Sequence, residues 1–112
     1  MKKMTFNRSP LESNLVKKVE TYIKTTFKEK AWFLNIGGNA SQRSGVPDIL
    51  VCINGRLIGL ELKREDGTGR PSKQQEIECR KINNAGGIAI ITNDFEQIKK
   101  LLNNVYNNKY VC

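Results

Sequence analysis

Asn54-Gly55 stands between two apolar, β-branched runs at residues 48–53 and 56–63. This dipeptide suits a two-residue type I′ turn, whose central positions both require a positive φ. The pattern predicts a β-hairpin. With Asn54 and Gly55 as the loop, Ile53 pairs with Arg56 and, counting outward, Asp48 pairs with Glu61. Directly opposed residues share a face with Cβ atoms about 5 Å apart, and two carboxylates placed there repel. Lys63 lies two residues beyond Glu61, so strand periodicity sets it on the same face, diagonal to Asp48. A divalent cation between the carboxylates would complete the compensation, and Mg²⁺ suits hard oxygen ligands of this kind. The competing reading is an exposed face with an ordinary Glu-Lys pair. Against it, the apolar Leu50 and Cys52 share the Asp48 face, which implies partial burial; a β-bulge would shift the register and weaken that argument.

The remaining elements follow from capping and periodicity. Ser9-Pro10-Leu11-Glu12 combines a capping serine, a proline at the first helical position and a glutamate at the capping-box position. The helix it opens carries Leu15, Val16, Val19, Ile23 and Phe27 at three- and four-residue spacing and runs to about Lys28. Residues 31–36 read as a strand, and residues 37–45 as a polar loop containing Arg43. After the hairpin, residues 64–71 form a charged loop. Ser72 opens a second helix that runs to about Ala85 and is closed by Gly86-Gly87. Residues 88–92 read as a buried strand, and Asn93 with Glu96 caps a last helix through about Asn103, followed by an asparagine-rich tail. The order is helix, three strands, helix, strand, helix: an α/β domain around one mixed sheet, spanning residues 1–112 as a single domain with its core at about 10–102.

Composition narrows the chemistry. Nineteen Lys and Arg against eleven Asp and Glu give a net charge of +8, which favours polyanionic partners. The chain has no histidine, which excludes Ser-His and Cys-His nucleophilic catalysis and His-ligated zinc. Carboxylates, lysine and metal-bound water remain. Cys52, Cys79 and Cys112 are odd in number with no C-x-x-C pair, so a zinc ribbon is not expected. No signal-like or membrane-spanning apolar run occurs, and a reduced, cytoplasmic protein with no membrane partner is expected.

Pro47-Asp48 followed by Glu61-Leu62-Lys63 resembles the PD-(D/E)-x-K nuclease signature. Together with Arg43-Ser44-Gly45-Val46 ahead of it, Gln75 in the next helix and the Ala85-Gly86-Gly87 close, it resembles the virus-type replication-repair nuclease (VRR-NUC) domain. The resemblance implies a restriction-endonuclease-like core and a Mg²⁺- or Mn²⁺-dependent endonuclease. Asp48, Glu61 and the backbone carbonyl of Leu62 would hold the metal, and Lys63 would orient the attacking water or help to deprotonate it. It further implies a DNA substrate, branched DNA such as four-way (Holliday) junctions, a homodimer, no nucleotide cofactor, and a phage or bacterial setting.

Family members carry a glutamate in the first helix, and Glu12 and Glu20 both qualify. Glu12 falls near the centre of the apolar stripe and is the better candidate, although its position is also what a capping box requires. Gln75 matches the family glutamine and equally fits a capping pattern with Ser72. Arg43, Arg64, Arg70 and Lys73 lie on loops or at a helix start beside the expected site, as candidate phosphate contacts. The alternative function is a nucleic-acid-binding module with the same fold and no useful catalysis; a basic scaffold has little support.

Overall fold

The structure, a computed structural model, describes residues 10–37, 43–66 and 69–109, with the side chains of residues 10–13 outside the description. Four strands form one sheet in the order β1-β2-β3-β4: β1 (Ala31–Asn35), β2 (Ile49–Ile53), β3 (Arg56–Leu62) and β4 (Ile88–Thr92). β1, β2 and β3 run antiparallel and β4 joins parallel to β3, so the sheet is mixed. A parallel neighbour needs a crossover, which α2 (Lys73–Asn84) provides. The other helices are α1 (Pro10–Phe27) and α3 (Phe95–Tyr106).

Alternation decides which side of the sheet is sealed. Ile49, Val51 and Ile53 of β2 and Ile58, Leu60 and Leu62 of β3 point to one face and are buried. The helical stripe Leu15, Val16, Val19, Ile23 and Phe27 of α1 covers them, together with Ile98, Leu102 and Val105 of α3. Asp48 and Glu61 belong to the opposite face, where α2 packs: the δ-methyl of Ile82 would lie 3.2 Å from a Cβ at Gly59.

The hairpin takes the expected register, with Ile53 opposite Arg56 and Ile49 opposite Leu60. Asn54 and Gly55 hold φ of 54° and 73°, as a type I′ turn requires. The last helix departs from expectation at both ends. Its N-cap is Asp94, not Asn93, and the Asp94 carboxylate accepts hydrogen bonds from the backbone N–H groups of Glu96 and Gln97. At its far end it continues past Asn103 to Tyr106, because Val105 extends the buried stripe of Ile98 and Leu102.

Two glycines fix the approach to Asp48. A Cβ on Gly59 would lie 2.9 Å from Pro47 Cγ, so the bare backbone lets Pro47 rest on the sheet one residue before Asp48. Gly45 has φ +91° and its Cβ would meet the Gln74 carbonyl oxygen at 2.4 Å. Gly45→Ala therefore combines backbone strain with overlap on a helix backbone that cannot yield, and a loss of about 2–4 kcal/mol is expected in urea or thermal melts. A melt unchanged within error would show that this loop does not pack on α2.

Candidate active site

The β2–β3 ladder ends at Ile49 and Leu60 and gives way to a side-chain contact. Beyond Ile49 and Leu60 the next residues are Asp48 and Glu61, and the Leu62 N–H donates to Asp48 Oδ2 at 2.9 Å. On the other side of Asp48, its backbone carbonyl accepts from the N–H groups of Ile36 and Gly37 at 2.8 and 3.1 Å. Asp48 is thus held by its carboxylate to β3 and by its backbone to the end of β1, and it stays partly exposed.

Glu61 is 3% exposed, yet its carboxylate is well satisfied at Oε2: Gln75 Nε2 donates to it at 2.6 Å and Lys63 Nζ lies 3.7 Å away. Gln75 Oε1 in turn accepts from Lys63 Nζ at 2.9 Å and from the Ser72 N–H at 2.8 Å, while Ser72 Oγ accepts from the Gln75 N–H. Gln75 therefore closes the capping box and also bridges Glu61 and Lys63. Its nitrogen faces a carboxylate and its oxygen faces two donors, the one amide orientation that satisfies all three contacts. The capping box is what aims the amide at Glu61 and Lys63.

Glu12 lies in the first turns of α1, with its side chain outside the described residues. Glu20, the other helix carboxylate, accepts from Asn35 Nδ2 at 2.9 Å, and Asn35 Oδ1 accepts from the Gly37 N–H. Asn35, which the sequence did not single out, so connects α1 to the segment bonded to Asp48. Of the candidate phosphate contacts, Arg70 and Lys73 are exposed, and Arg64 lies 3.5 Å from Asp66. Arg43 is placed on α2, where its guanidinium meets Glu78 Oε1 at 3.0 Å. Glu78 is a second residue that the sequence did not single out. It is 4% exposed and also lies 3.8 Å from Lys81, and its only sequence signal is its position one turn beyond Gln75.

Cys79 sits between these carboxylates. Burial pushes its thiol above the ordinary 9.0, and the charges of Glu61 and Glu78 push it further. Below that pH the thiol is protonated in both folded and unfolded chains. As pH rises past about 9.0 the unfolded chain ionises first, so stability falls. Cys79→Ala should flatten that part of the alkaline slope in melts taken against pH, and an unchanged slope would assign the loss to other groups.

The donor set fits a hard divalent cation. It offers two carboxylates beside the Leu62 peptide and no thiol or imidazole among its atoms, a set of hard oxygen donors. Among the described residues no group of three or more acidic, Cys or His side chains that could hold a metal ion forms. Among the described residues no helix is long and apolar enough to cross a membrane.

No family model matches the chain, and no curated protein matches it. Among solved structures it is similar to one described as a VRR_NUC domain, at 24% identity and a TM-score of 0.63, covering 88% of this chain and 100% of that one. At that identity the likeness is one of fold. The chain has the VRR_NUC fold, an α/β, restriction-endonuclease-like arrangement, as its motifs led us to expect.

Proposed function

We propose that the chain is a single-domain, metal-dependent DNA endonuclease that hydrolyses phosphodiester bonds, with Asp48, Glu61 and Lys63 at its centre. The observation that carries this reading is the Gln75 amide, which joins the buried Glu61 carboxylate to Lys63 on the face that Asp48 shares. A surface Glu-Lys pair has no need of a helix-capped amide to hold it.

Asp48, Glu61 and the Leu62 carbonyl would hold the cation. When bound, Mg²⁺ or Mn²⁺ supplies charge stabilisation at the phosphate and lowers the pKa of water. The chain's own part is positional. Gln75 Oε1 accepts a hydrogen bond from one Lys63 N–H, leaving the ammonium's other N–H groups to orient the attacking water against a phosphate oxygen. Attack in line with the 3′ oxygen forms the new P–O bond as the old one breaks, leaving a 5′ phosphate and a 3′ hydroxyl. Glu12 would complete the site from α1, and Arg64, Arg70 and Lys73 would contact flanking phosphates.

The VRR_NUC fold and the sequence resemblance support branched DNA as substrate and a homodimer as the active form. Two-fold symmetry sets two single-strand cuts opposite one another, the arrangement that divides a four-way junction into duplexes. Labelled duplex, flap and four-way-junction DNA, each incubated with Mg²⁺, Mn²⁺ or EDTA, test the reading. Metal-dependent cutting is expected, fastest on the junction. Binding without cutting in every metal would make the chain a DNA-binding module, and equal cutting of plain duplex would remove the branch preference.

A further inference from the structure

The sheet face that carries Asp48 and Glu61 is only partly covered. α2 lies over the β3–β4 side, while Trp32 and Leu34 of β1 are 57% and 47% exposed and Leu57 of β3 is 42% exposed. Strand register arranges these residues in rows. Trp32, Cys52 and Leu57 stand side by side across three strands, and Leu34, Leu50 and Gly59 form the next row. The row after that brings Ile36, whose N–H bonds the Asp48 carbonyl, level with Asp48 and Glu61. Trp32 is four residues from Ile36, about 13 Å at the rise of a strand, which a few nucleotides of one DNA strand span.

Leu57 also borders a groove of about 410 Å³ lined by Arg43, Arg56 and Lys81. The acid in this groove is Glu78, which is buried beneath Arg43 and Lys81. Trp32 lies on the face of the candidate site, two strands from the Leu57 that borders this basic groove, about 10 Å at the spacing of strands. An exposed ring within reach of cations along one strand is the combination by which proteins hold single strands, bases stacking on the ring and phosphates following the charge. A second copy of the chain fits this face poorly. Symmetric pairing would set the same three cations against themselves, in a chain already at +8.

We infer that Trp32, with the groove of Arg56 and Lys81 beyond it across the sheet, binds an unpaired DNA strand that leads to the phosphate held at Asp48 and Glu61. The substrate is accordingly branched DNA with a strand unpaired next to the cut, as a flap supplies outright and a junction supplies when pairs open at its branch point. This deepens the nuclease reading and rests on it only for where the cut lies.

Trp32 is the sole tryptophan, so its fluorescence reports on this face alone. Titration of the Lys63→Ala protein with oligo(dT) in EDTA should quench the emission saturably, and added salt should weaken the binding. Trp32→Ala should lower affinity for a single-stranded-arm substrate about tenfold. Trp32→Phe should restore most of it, and Arg56→Ala with Lys81→Ala should lower it without removing the ring. An emission unmoved by oligonucleotide, or an unchanged affinity in Trp32→Ala, overturns the inference even if the wild type cuts DNA. Conversion of a dimer to a monomer by Trp32→Ala in sedimentation would give the face to a second copy and likewise overturns it. Quenching by a protein that cuts nothing in any metal would uphold the strand-binding face and overturn the nuclease reading.

Discussion

Lys63→Ala should reduce DNA cleavage by about 10²–10⁴-fold under single-turnover conditions while DNA binding stays within a few-fold of wild type. The lysine is 16% exposed and held 2.9 Å from Gln75 Oε1, so it is one positioned ammonium among nineteen cationic side chains. Its loss removes little of the field that attracts DNA. It does remove the donor beside Glu61. A uniform fall in binding and cleavage together would show Lys63 to be a phosphate contact only.

Gln75 and Ser72 separate stability from catalysis. Ser72→Ala deletes the hydroxyl that accepts from the Gln75 N–H but leaves the Gln75 amide on Glu61 and Lys63. It should cost about 1 kcal/mol in melting and change the cleavage rate by less than about threefold. Gln75→Ala deletes the amide. It should cost a similar amount of stability and slow cleavage by about 10–100-fold, the usual penalty when a group that orients ligands is lost. Equal effects of both substitutions on rate would mean that the capping box acts only through the helix.

The fold was legible wherever local chemistry is decisive. Asn54-Gly55 set the hairpin register, and with it the meeting of Asp48 and Glu61, because a two-residue turn leaves one way to pair the strands. The last helix was less legible. Asn93 and Asp94 are both good caps, and only the observed backbone selects Asp94. Its extension to Tyr106 depends on Val105 finding the core between α1 and the sheet, a long-range contact that no local pattern announces. In the site, Gln75 was visible but ambiguous, since one capping pattern serves two purposes. Glu78 and Asn35 were invisible, because their roles depend on what α2 and β1 pack against. Arg43 was read as a phosphate contact from its place in a loop, and it pairs with the buried Glu78 carboxylate while its side chain stays 72% exposed.

The proposed metal-dependent hydrolytic centre joins Asp48 and Glu61 with Lys63. It is tested most directly by single-turnover cleavage of a four-way junction by wild type and Asp48→Asn, in Mn²⁺ and in EDTA, with melting measured on both proteins. Asn keeps an acceptor for the Leu62 N–H, so the variant should melt within about 1 kcal/mol of wild type. Wild type is expected to cut in Mn²⁺ and not in EDTA, and folded Asp48→Asn to cut in neither. Cutting in EDTA, or cutting by Asp48→Asn at the wild-type rate, would contradict the account.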